Sequence, residues 1–413
     1  MLRGHRRMAR LTLEQLAEGS GVSARTLSDM ERGRSKGPQQ RTVTALADAL
    51  ALDGDAREEL VELARDGRLR DHWTRPAGRC ELPRLIDDFT GRAAELVWMS
   101  ELVYAESVVG LITGSGGMGK TTLAIRAAHA LRPSFPGGVF FVDLLGMSPQ
   151  PLAAADALRM LLRALGVADE QMPAERASLY RSLLRDRQAL VVLDNAGSEE
   201  QVRPLLPGEG ASRVLITAKR LLAGLEGVRR LGLGPLSQPE ATELLTAIAG
   251  RQEEPALNQL ADLCEGMPLA LRIIGNRLAS RPGWDPAELA ARLADEEHRL
   301  EQFKAGDLKI ATAFAMSYEQ LADAARQVFR RAAVLPGPDF DAALAAVAGE
   351  VPAEVAWDAL DELVDLGLLL DSTAGRYRFH DLVRLFARTR LEEEESPASR
   401  EALTARVTSW LES

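Results

Sequence analysis

Between residues 11 and 34, apolar positions recur at helical spacing on either side of a break. Leu13, Leu16 and Ala17 fall on one face, Val22, Leu27 and Met30 continue the apolar side, and Gly21 stands at the break. Ser23 heads the second run and is a natural N-cap for a helix reaching about Glu31. Two short helices joined by a tight turn have the layout of a helix-turn-helix, whose second helix is free to enter a major groove. The helical period returns in "RTVTALADALAL" and "DAREELVELARD", which predicts a compact all-helical domain over residues 1–67.

The period then changes. A polar, proline-containing connector, "GRLRDHWTRPAGRCELP", leads through a linker at 68–87 into a region of short β-rich apolar runs: "SVVGLIT", "GVFFVDL", "ALVVLD" and "RVLITA". Amphipathic stretches such as "PLAAADALRMLLRAL" separate them, and this alternation predicts a parallel sheet flanked by helices over 88–236. Strand signals stop after Pro235, and 237–305 reads as a helical domain. Helices dominate 306–392 as well, except that "LGLLLDSTAGRYRFHD" reads as two strands around Ser372–Gly375, so this part is expected to be a winged helix. A charged run and one more helix form the tail at 393–413. The expected fold class is therefore multidomain, α and α/β.

Composition adds little until charge is placed along the chain. The 413 residues are 46% hydrophobic and 27% charged, with a formal charge of −10, ordinary for a core-forming protein and wrong for one that coats nucleic acid along its whole length. Residues 1–50, however, hold nine Arg and Lys against five acids, a basic segment in an acidic protein. The two cysteines, Cys80 and Cys264, lie far apart and suggest neither a disulfide framework nor a zinc site. No apolar run approaches the ~18 residues of a membrane span, and the start lacks the apolar core of a secretory signal. The expectation is a bacterial cytoplasmic protein without membrane contact.

One stretch carries explicit chemistry. Gly114-x4-Gly119-Lys120-Thr121 fits the P-loop pattern, with a strand before it and a helix after it. Its glycines, Gly114, Gly116, Gly117 and Gly119, let the backbone approach phosphates, and the helix start supplies N–H groups and a favourable dipole. Lys120 would reach the β- and γ-phosphates and the Thr121 hydroxyl would hold magnesium, with Met118 and Thr122 completing the loop. The alternative is a glycine-rich turn that binds nothing. Asp194 ends the apolar run "ALVVL" 74 residues after Lys120 and is the candidate for the second magnesium element, the alternative being a plain helix cap.

The series "DFTGR", "GSGGMGKTT", "ALVVLDNA", "SRVLITAKR", "CEGMPLAL" and "RFHDLVR" resembles, motif for motif and in order, the NB-ARC type of STAND signalling ATPase over about residues 85–390. Residues 1–67 separately resemble the Cro/repressor-like (XRE) helix-turn-helix family. The combination is similar to regulators of actinomycete bacteria. The resemblance implies an ADP/ATP site in which Phe89, Gly91 and Arg92 lie beside the adenine and Pro268, from the helical lid, packs on the base or ribose. It implies that His380 touches the β-phosphate of ADP and locks the winged helix down. The alternatives are a loop proline before a helix and a satisfied hairpin histidine.

Two positions depart from that pattern. Where hydrolysing relatives carry a second acid after the magnesium aspartate, this chain has Asn195. Where the sensor strand ends in an arginine, it has Lys219, with Arg220 one residue later. A lysine offers a point charge in place of a bidentate fork. The expectation is an ADP-off, ATP-on transcription regulator with Lys120 and Asp194 as catalytic residues of, at most, a slow ATPase. The rivals are a working ATPase that docks through its helix-turn-helix, and a repressor that keeps ADP as a permanent structural cofactor. Double-stranded DNA would be met by Ser23, Ala24, Arg25, Thr26 and Ser28, with Arg32 and Arg34 on phosphates; the alternative is a docking domain with a solvated basic face. Half-site reading favours self-association on activation, and the resemblance implies a C-terminal sensor domain or signal ligand beyond the residues given, the alternative being a member without a sensor.

Overall fold

The computed structural model describes residues 2–9, 11–31, 40–50, 52–54, 56–57, 61, 82–105, 108–168, 172–173, 175–252, 255–295, 299–300, 302–306, 308–373 and 375–412. The chain forms two compact units, residues 1–78 and 79–413.

In the first unit the helices are Leu2–Met8, Leu13–Ser20, Ala24–Glu31 and Gln40–Ala49. The second starts in a capping box: Thr12 Oγ1 accepts from Gln15 N at 3.1 Å, and Gln15 Oε1 accepts from Thr12 N at 2.9 Å. It ends at Gly21, whose φ of 68° turns the chain. The Ser23 hydroxyl accepts from Thr26 N at 3.1 Å and caps the third helix. Leu16, Leu27, Leu46 and Leu50 bury the apolar faces against one another. Leu2–Met8 is an element that periodicity missed, because basic residues crowd it. Arg6 holds it down through two bonds to Glu31, at 2.6 and 2.9 Å, and a third to the Leu11 carbonyl. Arg32, Arg34, linker residues 68–81 and most of "DAREELVELARD" lie outside the described residues.

The second unit is built on a parallel sheet of β1 (Val109–Thr113), β2 (Gly138–Asp143), β3 (Ala189–Ala196), β4 (Arg213–Ala218) and β5 (Val228–Gly232), in the order β2-β3-β4-β1-β5. The inner strands are almost wholly buried, which is why they read as unbroken apolar runs. Strand β5, "VRRLG", was not expected. It is a half-exposed edge strand whose charges blunt the edge. Arg229 pairs with Glu101 and stacks on Trp98, while Arg230 ties down the carbonyls of Leu221, Leu222 and Leu225. The helix Lys120–Leu131 follows β1 directly.

After the sheet come the helices Gln238–Ala249, Pro255–Leu263, Pro268–Ala279 and Pro286–Ala294, then a two-residue ladder of β6 (Lys304–Ala305) and β7 (Leu308–Lys309). The next module holds Ile310–Tyr318, Asp323–Ala332, Ala342–Gly349 and Ala353–Asp365, and a hairpin of β9 (Leu370–Thr373) and β10 (Arg376–Arg378). The expected two-stranded hairpin has a third partner, β8 (Phe340–Asp341), too short to leave a periodic signal. Phe314, Tyr318, Phe329, Phe379 and Phe386 pack ring against ring inside it. Helices Asp381–Glu394 and Pro397–Leu411 close the chain. Glu395, between them, accepts from Arg330 at 2.7 Å and Arg331 at 2.9 Å. Among the described residues no helix is long and apolar enough to cross a membrane.

Candidate functional site

The strand order puts β4 between β1 and β3, so the loop after β1, the end of β3 and the end of β4 meet along one rim. A cleft of about 380 Å³ opens there. Its floor is the loop Gly116–Gly119 and the first turn of the helix that begins at Lys120. Gly119 caps that helix with a φ of 84°, a left-handed geometry that a side chain would strain. The Lys120 ammonium folds back over its own loop and donates to the carbonyls of Gly114 at 2.6 Å and Ser115 at 2.8 Å.

Thr121 Oγ1 donates to Asp194, 2.8 and 3.0 Å from its two oxygens. Thr217 Oγ1 donates to Asp194 Oδ1 at 2.5 Å and accepts from Asn195 N at 2.9 Å. Asn195 sits at a φ of 55°, where β3 breaks register with β4, and this bulge aims the carboxylate at Thr121. Burial pushes the Asp194 carboxyl up from its ordinary value, while the two threonine hydroxyls pull it back.

Lys219, at the end of β4, also lines the cleft and donates to the Ala313 carbonyl at 3.1 Å. Desolvation lowers Lys120 to about 7, with the Lys219 charge as a further cause, and lowers Lys219 to about 8. Two desolvated ammoniums whose hydrogen-bond acceptors are neutral oxygens make a site of positive potential. An anion fits it.

The opposite wall is apolar: Ile86, Phe89, Leu236, Leu244, Pro268 and Leu269. Pro268 opens the helix Pro268–Ala279, and Leu269 N donates to the Gly117 carbonyl at 3.1 Å, so this wall is anchored to the floor. A cleft with a flat apolar end and a cationic, backbone-lined end suits a nucleoside phosphate. The donor set Thr121–Asp194 is oxygen only, which suits magnesium, and among the described residues no cluster of three metal-ligating side chains exists. A hard cation would thus take part of its coordination from the phosphates.

Of the residues singled out from sequence, the cleft gathers Phe89, Arg92, Gly116, Gly117, Met118, Gly119, Lys120, Thr121, Thr122, Asp194, Lys219 and Pro268. Gly91, Gly114, Arg220 and His380 are not on its lining. Gly91 backs onto Glu240, and Gly114 contributes its carbonyl to Lys120. Arg220 pairs with Asp365 at 2.9 Å. His380 is buried, with Nδ1 3.1 Å from Glu265 Oε2. Sequence reasoning missed Thr217, Asp88 and Arg272. The last two join in a bidentate pair at 2.7 and 2.8 Å. Their types were visible in "DFTGR" and beyond "GMPLAL", but no spacing links positions 184 residues apart.

Residues 1–60 match the family described as a helix-turn-helix domain. The regulatory protein AfsR of Streptomyces coelicolor is 41% identical over 353 residues, covering 81% of this chain and 35% of AfsR. AfsR of Streptomyces griseus is 40% identical over 381 residues, covering 87% of this chain and 39% of that protein. Among solved structures, a Walker-type ATPase of Pyrococcus abyssi superposes with a TM-score of 0.52 at 12% identity, covering 74% of this chain and 98% of its own. The chain joins a segment that matches a helix-turn-helix domain to a unit with the fold of a P-loop ATPase. It spans little more than a third of the two AfsR regulators. The Pyrococcus likeness extends to fold alone, and it agrees with a parallel P-loop sheet bearing the cleft.

Within the second unit the module that begins at Ile310 lies directly on the P-loop. The Ala313 carbonyl faces Gly116, where a Cβ would stand 3.2 Å from it. Gly367, at a φ of 67°, lets the turn before β9 reach the loop: a Cβ there would come within 2.8 Å of Ser115 Cα. Lys219 therefore touches the cleft and the module that covers it.

Proposed function

We propose that this chain is the DNA-binding, nucleotide-switched part of a bacterial cytoplasmic transcription regulator, held off by ADP and released by ATP. One observation carries the reading. Lys219 lines the cleft beside the P-loop and at the same time donates to Ala313 and approaches Ser317 of the winged-helix module. A third phosphate at that end of the cleft would compete for the ammonium. Losing the Lys219 bond loosens the module from the loop.

Lys120 and the helix N-terminus would hold the phosphates, and Thr121 with Asp194 would hold magnesium, which when bound would neutralise phosphate charge. Phe89 and Pro268 supply flat apolar surface for a base, and Arg92 fixes the loop beside it. His380 contributes to the lock beside Glu265, which accepts from Asp381 N at 3.0 Å at the start of the next helix. Asn195 lines the cleft where a base would be needed, and its amide does not take a proton at neutral pH. Hydrolysis is therefore slow, and the nucleotide acts as a setting. Release of the module would expose surfaces for self-association and bring two helix-turn-helix domains onto paired half-sites, with the helix Ala24–Glu31 in the major groove.

A full population inversion from 1:99 needs about 5.5 kcal/mol of differential affinity. One exchanged lysine contact supplies only part of that, so a second input acts with the nucleotide. The test begins with denaturing the purified chain and identifying released nucleotide per chain. Lys120→Ala is then compared with wild type for duplex binding and mass in ADP and in a non-hydrolysable ATP analogue. Near-stoichiometric ADP, and DNA binding that rises in the analogue for wild type alone, support the switch. Equal DNA affinity and equal mass in both nucleotides would sink it.

A further inference from the structure

The loop that carries Phe89 is fastened at two places of unequal strength. At its far end Arg92 is 6% exposed. Its N–H donates to Glu240 Oε1 at 2.9 Å, and its guanidinium donates to the Gly234 carbonyl at 2.6 Å and to Glu95 at 2.9 Å. At the near end the only side-chain bonds from the rest of the fold to Asp88, among the described residues, are the parallel pair from Arg272. Those two side chains are 29% and 27% exposed. Between the fastenings Phe89 and Thr90 line the cleft, and Arg126 lies over the Phe89 ring, 5.8 Å from its centroid.

Arg272 stands one turn beyond Pro268 on the helix whose start forms the apolar wall, so one helix face both lines the cleft and carries the pair. Residues 82–86 and 89–92 have no regular structure. Among the described residues the segment is also tied by the Pro83 carbonyl, 3.1 Å from His129 Nε2, and by Leu82 and Phe89 packed on the core, so freeing Asp88 loosens the stretch between that tie and Arg92. A buried, triply bonded anchor beside a half-exposed ion pair is a hinge beside a catch.

We propose that Arg272 and Asp88 form a clasp over the base end of the cleft, whose opening gates entry and exit of a nucleoside diphosphate or triphosphate. This rests on the nucleotide reading above. The clasp sets exchange rates more than affinity, because both partners are satisfied by each other and neither is left over for the ligand. Arg272 forms a planar fork that matches a carboxylate, and lysine would not replace it. A partly exposed pair is screened by salt, so exchange depends on ionic strength.

The test uses the full chain and a fluorescent ADP, with association and dissociation followed by stopped flow. The variants are Asp88→Asn, Arg272→Gln and the swap D88R/R272D. Each single variant should speed association and dissociation together, by about three- to tenfold, with the equilibrium constant moving less than about twofold. The swap should return both rates toward wild type. Wild-type exchange should quicken with added salt, and exchange in the single variants should not. Dissociation that quickens with association unchanged would make Arg272 a direct ligand contact and overturn the gate, as would rates unaltered in every variant. The salt dependence of wild type decides the matter even if a variant folds poorly, since a flat profile overturns the clasp. Wild type that binds no labelled ADP, while melting as a folded protein, overturns the nucleotide reading and the clasp with it. That outcome is distinct from normal binding with an unaltered gate.

Discussion

Lys219 Nζ donates to the main-chain carbonyl of Ala313, 3.1 Å away and 94 residues further along the chain. From there the contacts continue. Tyr318, at the end of the same helix, donates to Glu394 at 2.8 Å, and Arg330 bridges Glu394 and Glu395. The end of β4 is thus linked through side chains to the start of the last helix.

Lys219→Met should free the helix Ile310–Tyr318 from the cleft. A hydrogen bond to a charged donor is worth roughly 1.5–3 kcal/mol, so amide exchange in that helix should quicken about tenfold or more, with little change in the sheet. Mass-spectrometric hydrogen exchange reads this directly. Unaltered protection across 310–318 would remove Lys219 as the latch.

Asp194→Asn keeps the shape of the carboxylate and removes its charge. Nucleotide affinity in excess magnesium should drop by about tenfold or more, while affinity in chelator should barely move, because only the metal-dependent increment passes through Thr121 and Asp194. Titration calorimetry with and without magnesium separates the two. Equal losses in both conditions would show that Asp194 serves the fold instead.

Asn195→Asp places an acid in the cleft beside Asp194, at a left-handed position that aspartate tolerates. A positioned general base is worth about 10²–10⁴ in rate, so phosphate release per chain should rise at least about tenfold. A rate that stays at background would mean that the missing arginine, not the missing acid, limits turnover.

Burial holds Glu265 up to about 8 and His380 down to about 4, with Asp381, Arg299 and Arg378 as the neighbouring charges. The pair shares one proton between those limits. The unfolded chain releases its histidine proton near pH ~6.5. Between there and about 8 the folded state therefore binds more protons, and stability falls as pH rises. Glu265→Gln should abolish that loss, on the order of 1 kcal/mol, seen as a smaller drop in melting temperature from pH 6.5 to 8. A difference between variant and wild type that is the same at both pH values would count against proton sharing.

Arg6 and Glu31 form a part-buried ion pair in the helix-turn-helix unit. The pair is part-buried, so Arg6→Ala should cost on the order of 1 kcal/mol. DNA binding would weaken through the fold, uniformly across sequences. A loss confined to particular bases would place Arg6 at the DNA instead.

The P-loop was legible because all its chemistry lies within eight consecutive residues between a strand and a helix. The helix-turn-helix was legible for a similar reason: caps at Thr12 and Ser23 and the left-handed Gly21 are local signals. Strand β5 was not, because an edge strand rich in arginine carries no apolar alternation. The helix Leu2–Met8 was hidden by its own charges, and it became a docked element through Glu31, the Leu11 carbonyl and the packing of Leu2.

By itself, then, the sequence determined the inner strands and most of the helices, where a phosphate cradle would form, and that Asp194 follows a buried apolar run. Those properties follow from backbone preference and apolar period, which act over a few residues. Only the tertiary structure decided that Thr217 joins Thr121 on Asp194, that Lys219 faces both the cleft and Ala313, that His380 meets Glu265, and that Arg272 closes on Asp88. Each of these is a contact between side chains brought together by strand order and helix packing. Hydrogen bonds and ion pairs act over about 3 Å in space, and nothing in the spacing of residues along the chain encodes that distance.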